Sequence, residues 1–168
     1  LSISLGGNVL YSQTEASQRS ETNEFEYQNT QGLELSSIFG LENQGFYNQS
    51  DFTDDGEGNL VLNDNLPVPN FGAVQPGDLR YTDQNGDNVI DQDDEVALGQ
   101  SASPWTYGIN LNLKYKNFNL FVLGTGQTGN LGNKLSGTFN NYYAPNGTDK
   151  YSEVVLGRWT PATANTAT

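Results

Sequence analysis

Between Trp105 and Tyr115 apolar and polar residues alternate without a break. Trp105, Tyr107, Ile109, Leu111, Leu113 and Tyr115 fall on one face, and Thr106, Gly108, Asn110, Asn112 and Lys114 fall on the other. A period of two marks a β-strand with one apolar face. Rising about 3.3 Å per residue with a tilt of about 45°, this stretch covers roughly 25 Å, the height of the apolar band of a transmembrane barrel. Aromatic residues close that face at both ends, where a membrane-spanning strand meets the two water boundaries. Lys116-Asn117 then reads as a two-residue turn. Phe118, Leu120, Val122, Gly124 and Gly126 resume one face against Asn119, Phe121, Leu123, Thr125 and Gln127, so a hairpin is predicted.

The same alternation runs from Leu1 to Tyr11, with Leu1, Ile3, Leu5, Gly7, Val9 and Tyr11 opposite Ser2, Ser4, Gly6, Asn8 and Leu10. A soluble sandwich produces such a pattern as readily as a barrel. Composition leaves little for a sandwich core, because only 35% of the 168 residues are hydrophobic and 19 are Gly. The opening Leu1-Ser2-Ile3-Ser4-Leu5 has no basic or long apolar segment, and no run approaches 18 consecutive apolar residues. Neither a signal peptide nor a transmembrane helix is expected. Only β-strands remain as a means of crossing a bilayer.

Connection lengths sharpen the choice. One turn is two residues long, whereas the segment 12–104 far exceeds what a compact soluble domain tolerates without structure of its own. Outer-membrane barrels have this asymmetry, with short periplasmic turns and long extracellular loops. The turn at Lys116-Asn117 is therefore expected to face the periplasm, and segments 12–104 and 128–168 the outside. Three strands cannot close a barrel, and an open edge is not viable in lipid. The expected fold class is all-β: antiparallel strands near 1–11, 105–115 and 118–127, belonging to a larger outer-membrane β-barrel.

Within the long segment, residues 12–30 are rich in Gln, Glu, Ser, Thr and Asn and read as solvated. Asp51, Asp54, Asp55, Glu57 and Asp64 lie around Gly56 and Gly58. Paired carboxylates of this kind invite a glycosidase reading, yet acidic residues crowded into a Gly-rich run read more simply as a solvated loop.

The stretch 83–94 is more specific. Asp83, Asn85, Asp87, Asp91 and Asp94 occupy positions 1, 3, 5, 9 and 12 of a calcium loop, and Val89 would offer its backbone carbonyl at position 7. Ile90 at position 8 would anchor the loop inward. Position 6, normally Gly, is Asn88, which tolerates the positive φ that the turn needs. Asp94 stands where EF-hands carry Glu, as in dockerin-type loops, and the flanks are not helical. A structural Ca²⁺ is the expectation, against the alternative of an Asp/Asn/Gly-rich turn that binds nothing.

Charge and residue types exclude other functions. A net charge of -13 without a Lys/Arg cluster argues against nucleic acid. The chain contains no Cys and no His, so thiol chemistry and the commonest general base are missing, and no nucleophile motif is present. An enzyme is not expected.

A series of short motifs runs through the chain: Gln75-Pro76-Gly77-Asp78-Leu79-Arg80-Tyr81, the acidic loop 83–94, Gly99, Pro104 with Tyr107-Gly108, the hairpin from Leu113 to Leu120, Gly126 to Asn130, and Arg158-Trp159-Thr160-Pro161. In this order the chain resembles the C-terminal barrel region of SusC/RagA-type TonB-dependent outer-membrane transporters of Bacteroidetes. The resemblance implies a barrel around a plug, coupling to TonB through a segment absent from this chain, and a SusD-like surface lipoprotein as lid. It also implies import of oligosaccharides or peptides. Phe46, Tyr47, Phe52, Phe71, Tyr142 and Tyr143, aromatics on polar segments, are the candidate contacts to substrate or lid. The other reading is a secreted all-β module for calcium-dependent binding or adhesion, whose apolar faces would pack on each other rather than on lipid.

Overall fold

The computed structural model describes residues 1–131 and 156–163. The chain is all-β. In order, its strands are β1 (Ser2–Tyr11), β2 (Ser37–Leu41), β3 (Asn43–Phe46), β4 (Phe52–Asp54), β5 (Leu60–Leu62) and β6 (Val68–Pro69). Then follow β7 (Leu79–Tyr81), β8 (Val89–Ile90), β9 (Glu95–Gln100), β10 (Trp105–Tyr115) and β11 (Phe118–Thr128). Among the described residues, helical structure is confined to single 3₁₀ turns such as Glu26–Gln28, Gln49–Asp51 and Gln92–Asp94. No helix among the described residues is long and apolar enough to cross a membrane.

Two compact units divide the chain. The first comprises Leu1–Glu24, Asn29–Ile38 and residues 98–131; the second comprises Phe25–Gln28, Phe39–Ala97 and residues 156–163.

The first unit is built on an antiparallel sheet in the order β1-β10-β11. Its register is unbroken, from Ser2↔Lys114 to Tyr11↔Trp105 on one side and from Trp105↔Thr128 to Tyr115↔Phe118 on the other. Cross-strand rows therefore sort by face. One face carries Ile3/Leu113/Leu120, Leu5/Leu111/Val122, Gly7/Ile109/Gly124, Val9/Tyr107/Gly126 and Tyr11/Trp105/Thr128. The opposite face carries Ser2/Lys114/Asn119, Ser4/Asn112/Phe121, Gly6/Asn110/Leu123, Asn8/Gly108/Thr125 and Leu10/Thr106/Gln127. Lys116 takes φ 53 in the turn that joins β10 to β11.

Among the described residues of this unit, nothing covers the apolar face. Ile3, Leu5, Val9, Ile109, Leu120 and Val122 are 61, 70, 70, 57, 52 and 48% exposed. Full burial of such a side chain is worth about 1.5–3 kcal/mol, so leaving these six half open to water forgoes about 5–9 kcal/mol. That equals the whole net stability of many domains. A face of this kind belongs against an apolar medium or partner. Among the described residues, the outer edges of β1 and β11 also lack a partner strand. Both features are those of a piece cut from a barrel wall.

The second unit has a small core of Tyr47, Phe52 and Ile90, which are 1, 7 and 0% exposed. Tyr47 and Phe52 meet edge to face with centroids 5.9 Å apart. Antiparallel pairs β3–β7 and β4–β5 surround them. The pair β6–β8 runs parallel, with Val68↔Val89 and Pro69↔Ile90, inside the segment 12–104 that was expected to be loop. The acidic stretch around Asp54 is the turn of the β4–β5 hairpin. Asp54 Oδ1 accepts the Gly56 N–H at 2.7 Å, and Asp55 accepts from Glu57 and Asn59. The Asn59 side-chain amide holds the Asp55 carboxyl below the usual carboxylate range. These carboxylates serve the turn, as the solvated-loop reading requires.

Candidate functional site

In the acidic loop of the second unit, short polar side chains bend the backbone around themselves. Asp83 Oδ1 accepts the Gly86 N–H at 2.7 Å and Oδ2 accepts the Asn88 N–H at 2.9 Å. Asn85 Oδ1 accepts the Asp87 N–H at 3.0 Å, its Nδ2 donates to Asp87 Oδ2 at 3.1 Å, and Asp87 Oδ1 accepts the Val89 N–H at 2.8 Å. Side-chain oxygens that accept from a backbone N–H two or three residues on fold such a segment without regular structure. Asn88 adopts φ 65, the left-handed conformation expected at position 6.

Two residues fix this loop to its unit. Ile90 is fully buried, and its strand lies beside β6, where Val68 N–H donates to the Asn88 carbonyl at 3.0 Å and Asn70 N–H to the Ile90 carbonyl at 3.1 Å. Asp94 is also fully buried. Its Oδ1 accepts the Gln84 N–H at 2.7 Å and its Oδ2 the Asp91 N–H at 2.9 Å, so one carboxylate ties both ends of the loop together. Asp91 Oδ1 in turn accepts the Asp93 N–H at 2.9 Å. A buried carboxylate is tolerated only with such partners.

A strap that the sequence did not reveal crosses the loop's end. Tyr27 Oη donates to the Asp93 carbonyl at 2.6 Å, and Gln28 Nε2 donates to the Gln92 carbonyl at 2.9 Å. Burial raises the Tyr27 phenol pKa, and the negative field of Asp94, Asp93, Asp83 and Asp87 raises it further. Residues 12–30 read as solvated from their composition, and the one signal there was the pair of aromatics Phe25 and Tyr27 in an otherwise polar run; Gln28 carries no such mark.

As a donor set, Asp83, Asn85, Asp87, Asp91, Asp94 and the Val89 carbonyl suit a hard cation in kind, and a carboxylate that accepts one N–H per oxygen keeps further lone pairs. Their arrangement is another matter. Among the described residues, no three His, Cys, Asp or Glu side chains gather as a metal-holding group. The oxygens face the loop's own N–H groups.

The candidate contact aromatics separate into different environments. Tyr47 and Phe52 are core residues, which corrects the expectation that they stand exposed on polar loops. Burial also pushes the Tyr47 phenol pKa up. Phe46 is half-buried opposite Leu79. Phe71 is 58% exposed and meets Tyr81 edge to face at 6.1 Å. Tyr142 and Tyr143 lie outside the described residues.

Two motifs far apart in sequence meet in this unit. Gly77 has φ 100, and a Cβ placed on it would come 2.7 Å from Trp159 Cε3, so the indole lies directly on its backbone. Gly77 N–H donates to the Tyr47 carbonyl at 2.8 Å and Tyr47 N–H to the Asp78 carbonyl at 2.9 Å. Glycine is required there for both its dihedral and its bareness.

The first unit thus has a wall-like sheet with one uncovered apolar face, and the second a self-bonded acidic loop; together they define an all-β chain of barrel type. No family model matches the chain. Over 85 residues, 51% of its length, it is 35% identical to a protein of Formosa agariphila named TonB-dependent receptor P26. Over 139 residues, 81% of its length, it is 26% identical to TonB-dependent receptor P3 of the same organism. These matches cover 8% and 12% of those proteins, so the chain spans about a tenth of the curated relatives it resembles.

Proposed function

We propose that this chain is part of the wall and outer loops of a TonB-dependent outer-membrane transporter, of SusC/RagA type and from its C-terminal barrel region. The apolar face of β1, β10 and β11 carries the reading, because five cross-strand rows of that face are left uncovered at a cost no water-soluble unit would bear. Lipid would cover it. Ser4, Asn8, Asn110, Asn112 and Thr125 would then face the lumen together with Leu10, Phe121 and Leu123, and strands from elsewhere in a longer protein would close both edges. In this reading the Lys116-Asn117 turn is periplasmic, and segments 12–104 and 128–168 are extracellular.

The whole protein would import an oligosaccharide or peptide rather than carry out catalysis, driven by TonB through a segment outside this chain and closed by a SusD-like lipoprotein. Phe71 is the most exposed of the described candidate contacts to substrate or lid, ahead of the half-buried Phe46; Tyr142 and Tyr143 keep the same proposed role. The full-length protein should fractionate with the outer membrane and leave it only with detergent. Recovery in the soluble fraction would contradict the reading and favour a secreted calcium-dependent adhesion module.

We infer further that Asp83, Asn85, Asp87, Asp91 and Asp94, with the Val89 carbonyl, take a structural Ca²⁺. The left-handed Asn88 and the buried Ile90 support this, and so does the mutual repulsion of five carboxylates in twelve residues. A cation there would neutralise that repulsion and order the loop, with no part in transport chemistry. A calorimetric titration with Ca²⁺ at millimolar concentration tests it, and the absence of any heat would leave only a turn.

A further inference from the structure

A cavity of about 490 Å³ opens at the end of the three-stranded sheet remote from the Lys116-Asn117 turn. Tyr11, Gln13, Gln100, Pro104, Trp105 and Asn130 supply its working surface. The walls are firmly held: Ser12 N–H donates to the Pro104 carbonyl at 2.9 Å, and Leu131 N–H to the Gln100 carbonyl at 2.6 Å. Gly129 lies so close beneath Pro104 that a Cβ on it would come 2.8 Å from the proline Cγ.

The chemistry of the lining is restricted. The Tyr11 and Trp105 rings lie 4.6 Å apart at 49°, and Tyr11 Oη donates to Gln13 Oε1. Three primary amides complete the polar part, and among the described residues no charged side chain lines the cavity. Aromatic faces receive the C–H faces of a sugar ring, while amides offer both a donor and an acceptor to its hydroxyls. A phosphate head would meet no cation here, within a chain of net charge -13.

Position adds a second constraint. Tyr11, Trp105 and Thr128 form the last row of the apolar face. Gln13 continues the same alternation beyond it, so the cavity begins where that face gives way to amide chemistry. A free sugar would use the cavity and leave the adjoining apolar rows idle. An amphiphile uses both, its chain along Val9 and Ile109 and its head between the rings and the amides.

We propose that this cavity seats the uncharged sugar headgroup of a membrane glycolipid. The proposal rests on the reading that the apolar face meets lipid. Native mass spectrometry of the full-length protein in tetraethylene glycol monooctyl ether tests it, with dodecyl maltoside, dodecylphosphocholine or free maltose added. Dodecyl maltoside should be retained about tenfold more strongly than dodecylphosphocholine. Free maltose should not be retained. The double substitution Gln13→Leu with Asn130→Leu should abolish the preference while the protein keeps its heat-modifiable mobility on gels; Trp105→Phe should weaken it without touching the amides. Equal retention of both amphiphiles, or a preference that survives the substitutions, overturns the proposal as a mere aromatic belt. Retention of maltose alone overturns it in favour of a soluble glycan. Any of these results from a protein whose odd-numbered positions in 105–115 still contact lipid would remove the headgroup site and spare the barrel reading.

Discussion

Asn110 and Leu111 are neighbours at the middle of β10 and differ in the face they occupy, which makes them a depth-matched pair. Asn110 is the central residue of the strand and lies in the row Gly6/Asn110/Leu123, with its amide against Gly6, where an added Cβ would approach it to 3.0 Å. Leu111 lies in the row Leu5/Leu111/Val122 on the apolar face. At about 3.3 Å per residue and about 45° tilt, the two differ in depth by only about 2–3 Å. Arg on the lipid side near the midplane costs about 2–4 kcal/mol, whereas lumen positions tolerate it. Leu111→Arg should therefore reduce the folded-to-unfolded ratio at equilibrium by roughly 30- to 700-fold, since 1.4 kcal/mol is tenfold. Asn110→Arg should change it little. Urea unfolding of the full-length protein in lipid vesicles, followed by gel mobility, gives both values. Equal losses at the two positions would refute the two-faced wall and mean that both faces are packed protein core.

Three further outcomes follow from local geometry. Gly77→Ala should destabilise the second unit by about 1–3 kcal/mol, because alanine is strained at φ 100 and its methyl meets the Trp159 ring; a rise in proteolysis near residues 47 and 77 would report it, and unchanged cleavage would show that the indole contact is dispensable. Glu34 is held at a pKa of about 2, below its ordinary 4.5, chiefly by the Ser36 hydroxyl and then by Thr14, whose Oγ1 donates to it at 2.7 Å. Its folded-state pKa is the lower one, so the stability it lends is fully present above pH 4.5 and is lost as pH falls toward 2; the protection of the Thr14 and Ser36 amides, measured against their intrinsic exchange rates at each pH, should fall over that window, and Glu34→Gln should remove the pH dependence. Withdrawal of Ca²⁺, or Asp83→Ala with Asp87→Ala, should raise protease sensitivity between about residues 50 and 100 and leave β1, β10 and β11 protected. Insensitivity to Ca²⁺ in the unsubstituted protein would leave the loop's own hydrogen bonds as its whole support.

The long strands could be read from the sequence because each carries its own periodicity. Leu1 to Tyr11 and Trp105 to Tyr115 alternate over enough residues for the pattern to fix both the strand and its faces, and the two-residue turn sets the β10–β11 register. Part of the acidic loop was legible for a related reason: Asn88, read as tolerant of the sharp turn, stands at positive φ, and Ile90, read as the inward anchor, is buried. The strands β3 to β8 are two to four residues long, too short to show any period. Tyr47 and Phe52 look like surface aromatics because their neighbours are polar, yet pairings distant in sequence bury them. The Gly77–Trp159 contact and the Tyr27 strap depend on such distant partners too, and no local pattern encodes them.

The most direct test of the wall reading uses the absence of cysteine from this chain. Single cysteines at each position from 105 to 115 in the full-length protein, once any cysteine outside this chain is replaced by serine, can carry a spin label, and collision with oxygen, which partitions into lipid, can be compared with collision with a water-soluble nickel chelate. Labels at Tyr107, Ile109, Leu111 and Leu113 should favour oxygen, and labels at Gly108, Asn110 and Asn112 should favour the chelate or show low access to both, with a period of two along β10. Equal chelate access at odd and even positions, or no oxygen preference at Leu111, would contradict the claim that this sheet is part of a membrane-spanning wall.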